Sequence, residues 1–268
     1  MFVSASVTCF FAPKIDEPKR SGSLGVSFTI DRGVNVRLTD EGLKFNGKDM
    51  RIPTAEYILK SLNYYGGVEV KSNLPLGCGF GLSGAIALAS ALEINKRLGL
   101  NMSLLQLADL AHEAEVLNRT GLGDVVTQCY GGFVVRKKAS CPSRCTIDRY
   151  LWDIELDFLV IGEMRTSEVL EGSLKDVYRI GKRSLREFLR KPSLENLFKV
   201  SKDFAVRCGF VDDRIMDAIE AVESTDGFAS MIMLGRGVFA YKGEVLKEFK
   251  GKYFRSKVSM CSIGFEKP

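Results

Sequence analysis

Between residues 75 and 85 the chain reads Pro-Leu-Gly-Cys-Gly-Phe-Gly-Leu-Ser-Gly-Ala, and this run limits the fold more than any other stretch. An alternating segment, Val68-Glu69-Val70-Lys71-Ser72, precedes it and predicts a strand. Residues 85–98 follow, rich in Ala, Leu and Ile without proline or interior glycine, and predict a helix. Strand, glycine loop and helix in that order gather free backbone N–H groups and the positive end of a helix dipole at one spot, which suits an anionic phosphate. Gly77, Gly79 and Gly81 allow positive φ and close approach to a ligand. Ser83 falls at the helix start, where its hydroxyl can cap the helix or reach a phosphate or a metal ion. A glycine-rich turn that only caps a buried helix would have the same composition.

Two familiar phosphate loops are excluded. A Walker A loop closes on Gly-Lys-Ser/Thr, and here the corresponding residues are Leu82-Ser83-Gly84. The dinucleotide fingerprint G-x-G-x-x-G is matched literally by Gly79, Gly81 and Gly84, but it needs a buried strand before it and a second strand ending in an acid ~20 residues on. Pro75 interrupts the approach, and a further helix follows.

The 268 residues are 46% hydrophobic and 26% charged, ordinary for a globular enzyme with an ample core. A net charge of +5 is scattered, with no basic run interleaved with aromatics, so nucleic acid is not an expected partner. No apolar stretch approaches membrane-spanning length and the start lacks a basic leader, so a cytoplasmic protein with no membrane partner is expected. Seven cysteines without regular spacing argue against a secreted disulfide scaffold. Cys141 and Cys145 resemble half of a zinc site with no second pair. The single histidine, His112, makes a Ser-His-Asp hydrolase improbable and fits a packing role better than a catalytic one.

In chain order, residues 3–11 predict a strand. A loop over 13–25 carries Lys14, Asp16, Glu17, Lys19 and Arg20 before Ser21-Gly22-Ser23-Leu24-Gly25; it is either a ligand loop or a solvated connection, and composition favours the second. Strands are expected at 26–30, 34–38 and 43–45, and a helix at 53–64 that opens on Pro53 and stops at Gly66-Gly67. Ser103 and Gln106 form a capping box for a helix through 118. On it Leu104, Leu107, Ala108, Ala111 and Ala114 share one face; Glu115 falls on that face and Glu113 opposite. An inward carboxylate needs a partner, a magnesium ion or a basic side chain. Asp124 sits in the bend Thr120-Gly121-Leu122-Gly123-Asp124-Val125, as a general base or as a helix N-cap. The second half begins near Trp152, with a strand at 156–161, a turn at Thr166-Ser167 and helices at 172–189, 193–208 and 212–224. Paired strands at 228–234 and 238–241 flank Gly235-Arg236-Gly237, and a last strand is expected at 258–263.

Pro75, Gly79, Gly81, Ser83 and Ala85 resemble, in order and spacing, the phosphate loop of the galactokinase, homoserine kinase, mevalonate kinase and phosphomevalonate kinase (GHMP) superfamily. Ala114-Glu115-Val116, the 120–125 bend, the run from Ser230 to Ala240, and Thr8, Phe10, Phe11, Gly22, Ser23 and Gly25 add a closer resemblance, to the archaeal pantoate kinase family. The resemblance implies an α+β, two-domain GHMP kinase fold: an N-terminal ATP-binding domain over 1–150, with a mixed sheet, the phosphate loop and helices, and a C-terminal α+β domain over 151–268. It implies ATP-dependent phosphorylation of the primary hydroxyl of (R)-pantoate to 4-phosphopantoate, for coenzyme A synthesis. Pro75, Gly77, Gly79, Phe80, Gly81, Leu82, Ser83, Gly84 and Ala85 would hold ATP; Ser83 and Glu115 would hold Mg2+. Asp124 would be the base, and Lys14, Arg20, Ser23 and Thr120 would meet the acceptor. Arg236 is either a phosphate contact or an exposed hairpin arginine. The expected partner is a small-molecule substrate, with a homodimer as the one protein partner considered.

Three positions depart from the family pattern: Ser6 replaces a histidine, and Leu24 and Ser27 replace an arginine and a glycine. They lie near the expected acceptor, and so leave open a kinase for another hydroxy acid such as mevalonate. A nucleotide-binding sensor without turnover is the remaining alternative, and the retention of Ser83, Glu115 and Asp124 together argues against it.

Overall fold

The computed structural model describes residues 1–164 and 174–264. Its long apolar, β-branched N-terminal run forms β1 (Phe2–Lys14), antiparallel to β2 (Gly22–Thr39). The sequence predicts two strands here, but they are one. Ser4 pairs with Gly33 and Ser6 with Thr29, so residues 30–32 form a wide bulge within a continuous strand. The connection between β1 and β2 is correspondingly short, and Gly22 to Gly25 are strand rather than loop.

Short strands β3 (Leu43–Phe45) and β4 (Lys48–Asp49) precede α1 (Pro53–Ser61). This helix stops earlier than the sequence suggests: Asn63 turns the chain at φ 50°, and Gly67 already opens β5 (Gly67–Lys71). Next come α2 (Leu82–Leu98), α3 (Leu104–Asn118) and α4 (Asp124–Tyr130). The Ser103–Gln106 capping box is present, with Ser103 Oγ accepting from the Gln106 N–H and Gln106 Oε1 accepting from the Ser103 N–H. Strands β6 (Phe133–Lys138) and β7 (Thr146–Tyr150), neither of them anticipated, complete this part.

The remainder supplies β8 (Glu155–Gly162), α5 (Leu174–Arg190), α6 (Leu194–Arg207), α7 (Asp213–Glu223), β9 (Phe228–Met231), β10 (Arg236–Tyr241), β11 (Lys252–Lys257) and β12 (Ile263–Gly264). The expected strand over 258–263 is displaced. Residues 252–257 carry the ladder, while the following segment crosses β2 through reciprocal bonds, Ser259 N–H to the Thr29 carbonyl and Thr29 Oγ1 to the Ser259 carbonyl. The expected turn at Thr166-Ser167 and the start of the helix at 172 lie outside the described residues.

Two sheets result, in an α+β arrangement. The first is mixed and eight-stranded, ordered β12-β1-β2-β5-β3-β4, with β6 on β2 and β7 on β6; β3 and β5 run parallel. The second is four-stranded and antiparallel, ordered β11-β8-β10-β9. Helices α2 and α5 pack on β1 and β2, while α6 and α7 cover β9. Between the sheets Phe28 packs on Phe133, Phe158 and Phe239, a continuous aromatic core joining the two halves. No described helix is long and apolar enough to cross a membrane.

Candidate active site

The glycine loop bends as its composition demands. Gly77, Gly79 and Gly81 have φ of 70°, 79° and 58°, and Gly81 is the left-handed N-cap of α2. No side chain caps this helix. Ser83 therefore lies inside the first turn, with its hydroxyl free of the capping role and near enough to Glu115 to favour its charged form.

One loop residue holds the cradle in place rather than the ligand. The Phe80 side chain is buried and packs on Phe158 and Phe254, at centroid distances of 6.2 and 5.9 Å. It thereby pins the loop to the second sheet, leaving its backbone toward the cleft.

That cleft has a volume of about 510 Å³. Pro75, Gly77, Gly79, Phe80, Gly81, Leu82 and Ser83 line it, together with Glu163, Met164, Met233 and Leu234 from the other half, where the Met164 N–H donates to the Gly77 carbonyl at 3.0 Å. Gly84 and Ala85 do not line it. Ala85 is wholly buried in α2, and Gly84 faces Glu115 and Gln128, whose oxygens lie 3.1 and 3.2 Å from where its β-carbon would be. Arg236 also lies outside the lining: its Nε donates to Asp212, the N-cap of α7, at 3.0 Å. The glycine beside it makes the contact instead, since Gly235 packs on the backbone of Cys78 and Gly79.

Glu115 faces inward and is buried, as the helical phase predicts. Its Oε1 accepts from Thr120 Oγ1 at 2.7 Å, whereas Oε2 is buried without a partner. Burial pushes this carboxyl up to about 7, with the nearby Asp124 charge adding to the shift and the neighbouring Ser83 and Thr120 hydroxyls opposing it. A lone buried oxygen beside a hydroxyl suits a hard divalent cation, so the residues present fit Mg2+, which Ser83 and Glu115 would hold. Among the described residues no cluster of three His, Cys, Asp or Glu forms an all-protein cage.

Asp124 is the first residue of α4, not its N-cap, which is Gly123. Its Oδ1 accepts from Ser6 Oγ at 2.7 Å. Burial raises its pKa, opposed by the Ser6 bond and by the charge of Arg136. Beyond Asp124 lies a second, small chamber of about 30 Å³ bounded by Thr8, Ser23, Gly123, Asp124, Arg136 and Leu234. Thr8, Asp124 and Leu234 line both spaces. Leu234 is held at φ 62°, strained for a bulky side chain at this junction.

Arg136, unremarked in the sequence, is the cation of this chamber. It is wholly buried on β6, with Nε donating to the Ser23 carbonyl at 3.1 Å and Nη1 to Ser27 Oγ and Thr127 Oγ1 at 2.8 and 2.9 Å. The only available signal was its place directly after the apolar run Phe133-Val134-Val135, at the head of the basic triplet Arg136-Lys137-Lys138. Ser23 thus borders the chamber, and Thr120 lines the cleft with its hydroxyl committed to Glu115. Lys14 and Arg20 are exposed and line neither space. His112 is buried and bonds the Ser21 carbonyl at 3.0 Å, a packing role.

Residues 51–132 match the GHMP kinases N terminal domain family. The chain is 34% identical to a pantoate kinase of Methanocaldococcus jannaschii over 92% of its length and 94% of that protein's. It is 33% identical to a pantoate kinase of Thermococcus kodakarensis, covering 89% and 86%. The chain belongs to the pantoate kinase family. Within the GHMP kinases it also superposes, with a TM-score of 0.84 and 29% identity, on a solved phosphotransferase related to the CoA biosynthesis pathway, covering 97% of this chain and 95% of that one. A mevalonate kinase of Methanococcus jannaschii shares the fold at a TM-score of 0.68 and 14% identity, over 96% and 97% of the two chains. Family membership makes the chain an ATP-dependent kinase; of the expected site residues, the loop from Pro75 to Ser83 and Asp124 line the cleft, whereas Glu115 lies buried behind it.

Proposed function

We propose that the chain transfers the γ-phosphoryl group of MgATP to the primary hydroxyl of pantoate, with Asp124 as general base. The observation that carries this reading is that Asp124 stands on the wall shared by the phosphate cleft and the arginine chamber. A nucleotide and a hydroxy acid meet in the cleft beside Asp124, the hydroxyl facing the γ-phosphorus and the acid's carboxylate end directed at the chamber, whose about 30 Å³ admits no more than a water-sized group. Phosphoryl transfer asks the protein chiefly for alignment and charge compensation, because its transition state is loose.

The backbone N–H groups of the glycine loop and the α2 N-terminus hold the β- and γ-phosphates. Ser83 and Glu115 would bind Mg2+, which supplies charge neutralisation across those phosphates when bound. Asp124 takes the proton of the attacking hydroxyl. Arg136 gives the acceptor carboxylate a permanent positive charge at the chamber wall, its Nε and Nη1 being already held by Ser23, Ser27 and Thr127, a role the exposed Lys14 and Arg20 are badly placed to fill. Ser23 frames the same chamber. The relatives that match over most of the chain are named pantoate kinases, which favours pantoate over mevalonate. Incubation with MgATP and either acid, followed by mass spectrometry, tests the assignment: a phosphorylated pantoate is expected, and product from mevalonate alone would overturn it.

A further inference from the structure

Gln128 is wholly buried on α4, one helical turn after Asp124, so the two side chains leave the helix on one face. Its Nε2 lies 2.8 Å from the Gly81 carbonyl oxygen and 3.3 Å from Ser6 Oγ. A carbonyl can only accept, which places the amide nitrogen on that side and fixes the orientation of the group. With Ser6 Oγ receiving an N–H, the single proton of the Ser6 hydroxyl is directed at Asp124 Oδ1. The backbone of Ser6 is itself tied to the loop, its N–H donating to the Phe80 carbonyl at 3.0 Å.

This arrangement is not needed to finish the fold. The Gly81 carbonyl already accepts the first bond of α2 from the Ala85 N–H, and Gln128 Oε1 is buried with no partner. An apolar side chain of similar length would avoid that cost. We propose that Gln128 is a positioning residue of the transfer reaction. Through Ser6 it presents Asp124 with a donor and so holds it as an ionised acceptor; through Gly81 it fixes the phosphate loop at a set distance from that carboxylate. The inference rests on Asp124 being the base. It also gives a physical role to Ser6: its hydroxyl accepts a hydrogen bond from the Gln128 amide and donates one to Asp124, a relay of hydrogen bonds, without proton transfer, built from two neutral side chains.

Steady-state kinetics with MgATP and pantoate test this for Gln128→Met, Gln128→Glu, Ser6→Ala and Ser6→Thr, each alone and combined with Asp124→Asn. Gln128→Met and Ser6→Ala should each lower kcat about tenfold, the scale of one hydrogen bond to a charged group, with the pantoate KM unchanged. Ser6→Thr should recover most of the loss. Gln128→Glu should be worse than Gln128→Met, because a carboxylate draws the Ser6 proton away from Asp124. The ATP KM should rise in Gln128→Met but not in Ser6→Ala. In the Asp124→Asn background neither change should lower kcat further, since that effect acts through the missing carboxylate, while Gln128→Met should keep its raised ATP KM, which acts through Gly81.

Losses that multiply with that of an impaired Asp124→Asn would overturn the relay while leaving the base in place. Wild-type turnover in Asp124→Asn would overturn the base and the relay together. Should Gln128→Met melt below the assay temperature, the Ser6→Ala and Ser6→Thr pair decides the question alone.

Discussion

Gly235 abuts the phosphate loop at backbone distance: a β-carbon there would lie 2.2 Å from the Cys78 carbonyl oxygen and 2.8 Å from the Gly79 amide nitrogen. The turn between β9 and β10 therefore braces the cradle from the second sheet, as Phe80 does from the loop side. Backbone has nowhere to yield without moving the N–H groups that face the phosphates. Gly235→Ala should weaken ATP binding by at least about tenfold, the scale of a modest steric misfit. Gly162→Ala, where a β-carbon meets nothing within 4 Å, should bind as the parent does. Calorimetric titration with ATP compares the two; equal affinities would show that the turn does not shape the cradle.

Asp124→Asn keeps the shape of the side chain and removes its capacity to take a proton. Turnover should fall by roughly 10²–10⁴, the contribution of general base catalysis, while ATP affinity stays within a factor of about two. Single-turnover measurements isolate the chemical step. An undiminished rate there would remove Asp124 from the chemistry.

The features written in local sequence were the legible ones. The glycine loop follows from glycines that must take positive φ, the capping box from Ser103 and Gln106, and the inward turn of Glu115 from helical phase. What escaped depended on distant partners. The joining of two expected strands into β2 required the bulge at residues 30–32, which is stabilised by the Ile30 bridge to Val258, far along the chain. Nothing local marks Arg136, which heads the basic triplet Arg136-Lys137-Lys138, and only the packing of β6 under Gly123 buries it. Arg236 drew attention for the opposite reason: its glycine-flanked setting resembles a phosphate loop, but Asp212 stands close enough to claim the guanidinium.

Glu115 makes stability and metal binding respond to pH in opposite senses. Its folded-state carboxyl, pushed up to about 7 from an ordinary 4.5, holds a proton more tightly than the unfolded chain does. Its stabilising contribution is complete below pH 4.5 and is lost as pH rises through 7, on the order of 3 kcal/mol in all. The metal-free protein should lose Tm across that window through this group, and Glu115→Gln should flatten the loss while Glu113→Gln leaves it. Conversely, the Tm gained on adding MgATP should grow from pH 6 to pH 8, because fewer protons need to be displaced. Thermal melts with and without MgATP at both values settle the point; a MgATP shift that Glu115→Gln leaves intact would assign the metal elsewhere.

Arg136 separates acceptor recognition from nucleotide recognition, since it borders the chamber and not the cleft. Arg136→Met should raise the KM for pantoate by about ten- to a hundredfold, the range of a lost charge-assisted contact, with ATP affinity little changed. Arg136→Lys keeps the charge without the fork and should fall between the two. Because Ser27, Thr127 and the Ser23 carbonyl all bond this guanidinium, the methionine variant should also lose about 3 kcal/mol of stability, and a raised KM alone would not distinguish a damaged chamber from a missing contact. The carboxamide analogue of pantoate makes that distinction. The parent enzyme should favour the acid over the amide strongly, and Arg136→Met should treat them nearly alike; a variant that retains the full preference would place the carboxylate against some other cation.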